Sequence, residues 1–115
     1  MEVEYKNREL QKCAEMPGYA QRRLGAEQAK LFLLRLCVIR EAESFEDLRY
    51  TPGHFHELHN VRKGQWAFNL NGPYRLILTP KVRPIPVNSY GGFDWSKIQS
   101  TIIVEIVNYH KERGL

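Results

Sequence analysis

The chain has 115 residues, 43% of them hydrophobic and 26% charged, which is enough for one domain with one modest core. No apolar run approaches the roughly 20 residues that a membrane span needs, and the first residues do not resemble a secretion signal. Two cysteines are too few for a disulfide framework, so we expect a cytoplasmic protein that does not contact a membrane.

The net charge of +4 comes entirely from the second half of the sequence. Residues 1–50 contain nine basic and nine acidic residues, whereas residues 51–115 contain eight basic and four acidic residues and all four histidines. A basic surface that carries histidines favours a polyanionic partner, of which nucleic acid is the commonest. The alternative is a basic domain without such a ligand.

The first half is predicted to be mainly helical. Val3 and Tyr5 alternate with acidic residues, as in a short strand with one buried face. Asn7 is a candidate N-cap for a first helix, which Pro17-Gly18 ends or interrupts.

A second helix is predicted from about Ala26, after a stop at Gly25. Apolar residues at helical spacing follow as far as residue 39. Ser44–Asp47 resembles the start of one more helical turn, and Thr51–Gly53 then closes the helical half.

The second half has the pattern of strands. Trp66, Phe68 and Leu70 alternate with smaller or polar residues, as in a half-buried strand. Asn71-Gly72 is a strong hairpin signal, and Tyr74–Leu78 is the predicted return strand. Phe55–Leu58 is a predicted neighbouring strand. Residues 80–100 form a long loop, and Thr101–Val107 is predicted as a central strand covered on both faces.

Helices followed by strands favour an α+β fold. We expect two N-terminal helices packed on a small antiparallel β-sheet. The sequence has no internal repeat and no linker, so residues 1–115 are predicted to form one domain.

Three histidines and two cations lie close together: His54, His56, His59, Arg62 and Lys63. Their spacing matches no established zinc pattern, so a metal site is not predicted. Each histidine taken alone reads as an ordinary loop residue. As a set, they are suited to proton transfer on RNA, whose 2′-hydroxyl is its own nucleophile.

Two further segments carry candidate groups for this chemistry. Arg75 follows the predicted hairpin turn, and a guanidinium can stabilise a phosphate as negative charge builds up. Asn108, Tyr109 and His110 follow the last strand and place an amide, a phenol and an imidazole at its end. The alternative reading is an exposed strand arginine and polar residues that end a strand.

Four segments of the second half occur in an order and spacing that resemble the HigB-type killer toxins of the RelE/ParE superfamily. Two other segments extend the similarity over most of the chain. The six segments are His56–Leu58, Arg62–Trp66, Asn71–Ile77, Val104–His110, Ser44–Leu48 and Gly91–Lys97.

The resemblance implies a RelE-like fold and the toxin of a type II toxin–antitoxin system. Such a toxin is an endoribonuclease that cuts messenger RNA on the ribosome, without a metal or other cofactor, and so inhibits translation. It also implies a HigA-like antitoxin with a helix-turn-helix domain. The antitoxin holds the toxin inactive, and the complex of the two binds operator DNA.

The resemblance also implies the roles of individual residues. His56, His59, Arg75, Tyr109 and His110 correspond to catalytic positions, and His59 stands where members usually carry a lysine. Asn108 stands where they carry an aspartate. We assign Arg62, Lys63 and Asn108 to RNA binding.

Two alternatives from other functional classes remain open. The ParE branch of the same superfamily poisons DNA gyrase and lacks the catalytic set. A toxin that has lost catalysis would act only as an antitoxin-binding or regulatory protein.

Overall fold

Helices cover one face of a five-stranded β-sheet in the computed structural model, which describes residues 1–109 and confirms the α+β class. Two 3₁₀ turns, at 60–62 and 95–97, lie in the connections between strands. The strands are β1 (Glu2–Tyr5), β2 (His56–Glu57), β3 (Trp66–Asn69), β4 (Tyr74–Pro80) and β5 (Ser100–Asn108), and the helices are α1 (Arg8–Glu15), α2 (Pro17–Leu24), α3 (Ala26–Glu41) and α4 (Phe45–Leu48).

Local sequence signals set the ends of the first three helices. The Asn7 side chain caps α1 by accepting a hydrogen bond from the Leu10 backbone N–H at 2.9 Å. Pro17 is the first residue of α2, a position that tolerates its missing N–H. Gly25, with a φ of 83°, separates α2 from α3. Pro17 therefore begins a helix of its own, so three helices precede α4 where two were expected.

The sheet is mixed, so the prediction of an antiparallel sheet was wrong for one strand pair. The strand order is β1-β5-β4-β3-β2; β1 is parallel to β5, and the other neighbours are antiparallel. The short strand predicted around Val3 and Tyr5 is present as β1, and it precedes the helices. Parallel pairing needs a long crossover connection, and the helices together with β2–β4 supply it here.

The predicted hairpin joins β3 and β4, but its loop is one residue longer than a two-residue turn. The Leu70 N–H donates to the Tyr74 carbonyl at 3.0 Å, which leaves Asn71, Gly72 and Pro73 in the loop. Of these three loop residues, only Gly72 has a positive φ, of 56°. Proline has no N–H and a fixed negative φ, so Pro73 cannot close the sheet directly after an Asn-Gly turn.

The two faces of the sheet differ in their cover. The main core lies between the helices and one face, and includes Phe32 and Trp66, both fully buried. The other face, here called the open face, carries a smaller cluster of Ala67, Ile77 and Val104. Residues of β5 beyond Val104 are half-exposed, so the prediction that this strand is covered along its whole length was wrong.

The two cysteines lie in the helical layer, and both are free thiols. Cys13 is buried in the core beside Leu10, whereas Cys37 is exposed. Within residues 1–109, no helix has both the length and the apolar character needed to cross a bilayer.

A close approach at Gly53 ties the helical layer to the segment before β2. The Asn69 N–H donates to the Gly53 carbonyl at 2.7 Å, and the Arg35 Nε of α3 donates to the Asn69 carbonyl at 3.1 Å. Gly53 has a φ of 107°, and a Cβ added there would lie 2.4 Å from Arg35 Nε. Only glycine fits this position without moving the arginine.

We therefore expect Gly53→Ala to lower the free energy of unfolding by about 1–3 kcal/mol, through strain and overpacking. Urea denaturation measures this loss. Gly91→Ala is the matched control, because Gly91 also has a positive φ, of 86°, but no atom within 4 Å of an added Cβ. Equal losses of unfolding free energy in the two variants would contradict the close approach of Gly53 to Arg35.

Candidate active site on the open face

The open face brings together side chains from four strands. His56 of β2 lies opposite Ala67 of β3. Ala67 lies opposite Ile77 of β4, and Ile77 lies opposite Glu105 of β5. Opposed residues project from the same face, so these four form one row across the open face. Arg75, two residues before Ile77, projects from that face as well.

The neighbours of His56 hold it on the open face. Phe55 is buried in the main core, and the Glu57 Oε1 accepts a hydrogen bond from Trp95 Nε1 at 3.1 Å. Side chains alternate along a strand, so anchoring Phe55 and Glu57 on the helical side directs His56 to the other side. The two-residue strand β2 is thereby fixed in orientation.

A backbone carbonyl sets the tautomer of His56. Its Nδ1 lies 2.7 Å from the His54 carbonyl oxygen, which only accepts hydrogen bonds. The proton of the neutral ring is therefore on Nδ1, and Nε2 carries a lone pair. The His54 and His56 rings also stack, with centroids 4.6 Å apart. This arrangement presents Nε2 as a proton acceptor.

The surroundings of His56 favour its neutral form. Burial is the main cause that lowers the pKa of His56 below its ordinary value of 6.5. Positive charge on His54, Arg75 and His59 lowers this pKa further, while the hydrogen bond to the His54 carbonyl acts in the opposite direction. At neutral pH, His56 is therefore a base that can accept a proton.

The hairpin holds the Arg75 guanidinium in place. Arg75 Nη1 donates to the Gly72 carbonyl at 2.9 Å and to the Tyr74 carbonyl at 2.8 Å, and the guanidinium carbon lies 5.2 Å from the centre of the Tyr109 ring. Among residues 1–109, no hydrogen bond uses its Nε or Nη2. A fixed guanidinium with these two donors suits a phosphate oxygen pair.

The two cations after β2 differ in their surroundings. Arg62 donates from Nη1 to Gln65 Oε1 at 2.8 Å and from Nη2 to Glu105 Oε1 at 3.3 Å. Its charge is therefore partly compensated by Glu105. Lys63 is exposed and lies beside a separate groove of the open face.

The predicted site residues do not all lie together. Tyr109 packs against the cluster of the open face, and His59 is exposed but close enough for its charge to act on His56. Asn108 lies opposite Tyr74, and therefore on the face opposite to that of Arg75. His110 lies outside the described residues.

Sequence reasoning included His54 in the histidine cluster but missed the part played by its backbone carbonyl, which is a group that every residue has. It also missed Glu105. The placement of Glu105 could have been found from the alternation of β5, in which Glu105, Val107 and Tyr109 share one face.

Comparisons with known proteins identify no family for this chain, so the functional assignment depends on the chemistry of this site. No model of a known protein family matches the chain, and no curated protein matches it significantly. Within residues 1–109, no group of three His, Cys, Asp or Glu side chains is arranged to hold a metal ion.

The site predicts the titration of His56. Its pKa, followed by NMR of the ring nitrogens, should lie below 6.5 with the proton of the neutral ring on Nδ1, because burial and nearby cations disfavour the charged form. Arg75→Gln should raise this pKa, since it removes one of those positive charges. Arg22→Gln on α2 is the control and should leave it unchanged. A neutral ring protonated at Nε2 would contradict the assignment.

Proposed function

We propose that this protein is an endoribonuclease that cleaves messenger RNA on the ribosome, as the toxin of a type II toxin–antitoxin system. One observation carries the proposal: a neutral His56, with its Nε2 available, shares the open face with a guanidinium fixed at Arg75. The resemblance to HigB-type toxins of the RelE/ParE superfamily supports it independently.

The reaction that these groups support begins at the RNA 2′-hydroxyl. His56 Nε2 accepts the hydroxyl proton as O2′ attacks the adjacent phosphorus. The P–O2′ bond forms and the P–O5′ bond breaks, which gives a 2′,3′-cyclic phosphate and a 5′-hydroxyl. Arg75 stabilises the negative charge that builds up on the phosphate oxygens.

The leaving O5′ atom requires a proton, and the end of β5 offers two donors. The Tyr109 phenol has an O–H group that can donate a proton, and its ring lies beside the Arg75 guanidinium. His110 is the second donor and is assigned on the resemblance alone. We propose Tyr109 and His110 as the candidate general acids of the reaction, with His56 as the general base.

The wider assignment follows from the resemblance. We propose a RelE-like domain over residues 1–115, acting in the cytoplasm and inhibited by a HigA-like helix-turn-helix antitoxin. Among residues 1–109 the helices pack on the other face of the sheet, which supports the assignment of RNA binding to the open face. Arg62 and Lys63 would then contribute positive charge around the RNA strand, and His59 would lie beside them.

The proposal predicts the effect of two substitutions on cleavage. His56→Ala should lower the rate by about 10²–10⁴-fold, because it removes the base. Arg75→Ala should lower it by about 10²–10³-fold, because it removes a stabilising donor. The measurement is the appearance of new 5′ ends in a defined message on translating ribosomes. Lys30→Ala, on the exposed side of α3, is the control and should cleave normally.

Three results would contradict the proposal. Intact messages during growth arrest would exclude cleavage as the cause of toxicity, and DNA damage signalling without RNA cleavage would indicate a gyrase poison. Harmless overexpression together with tight antitoxin binding would indicate a regulatory protein that has lost catalysis.

A further inference from the structure

A second groove lies on the open face, beyond the row that contains His56. Its volume is about 530 Å³, and it is lined by residues from both ends of the chain. Three of its lining residues are cations and none is acidic: Lys6, Lys63 and Arg83.

Three separate segments bring these cations together. Lys6 directly follows β1, Lys63 follows the 3₁₀ turn after β2, and Arg83 lies in the long loop after β4. All three side chains are exposed. The parallel pairing of β1 with β5 places Lys6 here, because the Lys6 N–H donates to the Ile103 carbonyl at 2.9 Å.

The groove and the candidate active site share one floor. Thr79 of β4 and both Ile102 and Val104 of β5 line the groove. Val104 also belongs to the cluster with Ala67 and Ile77, which lies between His56 and Glu105 in the row. Val104 therefore links the groove to the candidate active site on the same side of the sheet.

Hydrogen bonds hold the Arg83 guanidinium next to the segment that carries Lys63. Arg83 Nη2 donates to the Thr79 hydroxyl at 2.9 Å, and that hydroxyl donates to the Gly64 carbonyl at 2.7 Å. Gly64 directly follows Lys63, so the chain of hydrogen bonds joins the loop after β4 to the segment after β2. The guanidinium is thus held at the groove.

The positive charge of the groove is uncompensated. Within the described part of the chain, none of Lys6, Lys63 and Arg83 forms an ion pair. Glu4, which faces the same side of the sheet, is paired with Lys81. Three cations around one concave surface create a positive potential that an anionic ligand would neutralise.

We propose that this groove binds the phosphodiester backbone of single-stranded RNA next to the cleavage site. The strand would run across the open face from Arg75 to Arg83. Phe93, which is half-buried and packs on Trp66 of the main core with ring centroids 5.5 Å apart, also lines the groove. The identity of the strand as substrate rests on the proposed nuclease function, whereas the binding itself does not.

The test is the binding of a fluorescent 12-nucleotide RNA whose 2′-hydroxyls are all methylated, so that it cannot be cleaved. In the double variant Lys6→Gln/Arg83→Gln, two phosphate contacts are lost. The slope of log K against log salt should therefore become shallower by about 1.4, and affinity at 0.1 M salt should fall by about 10- to 30-fold. A trinucleotide is long enough to contact only the site at His56 and Arg75, so the double variant should bind it with the wild-type affinity.

The matched control removes two positive charges from the helical side, in Lys12→Gln/Lys30→Gln, and should keep the wild-type slope. A wild-type slope in Lys6→Gln/Arg83→Gln, or an equal change in the control, would overturn the proposal. If the double variant loses affinity for a 12-base-pair DNA duplex to the same extent, the proposal is also overturned, because the groove would then bind any polyanion.

The same experiment separates this inference from the proposed function. If the wild type fails to cleave RNA but its binding depends on Lys6 and Arg83, the groove stands and the nuclease proposal fails. If the wild type cleaves RNA and the variant binds the 12-mer normally, the groove proposal alone fails.

Discussion

The register between β3 and β4 is the constraint on which the candidate site depends. It pairs Ala67 with Ile77 and Asn69 with Arg75. Because side chains alternate along each strand, a slip of one residue would turn Arg75 toward the helices and bring a neighbouring residue to the open face. The fully buried Phe68 and Leu76 oppose such a slip, since it would expose them to water. The apolar core thereby fixes where the polar groups lie.

The same positive charges have two effects on the open face. Positive charge at Arg75 suits the binding of a phosphodiester. Burial is the main cause that lowers the pKa of His56, and the charge of Arg75 lowers it further. A bound phosphate would compensate part of that charge and raise the His56 pKa toward its ordinary value.

Local patterns predicted much of the fold. The Asn7 cap, the stop at Gly25 and the strands on both sides of the hairpin depend on residues close in sequence, and the structure confirms them. The parallel pairing of β1 with β5 could not be predicted in this way, because it depends on contacts between the two ends of the chain.

The same distinction applies to the candidate site. His56 and Arg75 could be predicted as candidates from the sequence because their side chains carry the chemistry. The carbonyl of His54 could not, because every residue has a backbone carbonyl. Lys6 and Arg83 line the same groove only because β1 pairs with β5 and because the long loop returns to this side of the sheet. Asn108 was assigned from its motif, but the register places it on the other face.

The most direct test of the account compares two RNA strands that are identical except for one sugar. One strand carries a 2′-hydroxyl at the mapped cleavage site, and the other carries hydrogen there. We predict that the first strand gives a 2′,3′-cyclic phosphate and a 5′-hydroxyl, and that the second strand binds but stays intact at that linkage. Cleavage of the deoxy strand at a similar rate, or a product with a 5′-phosphate, would contradict it.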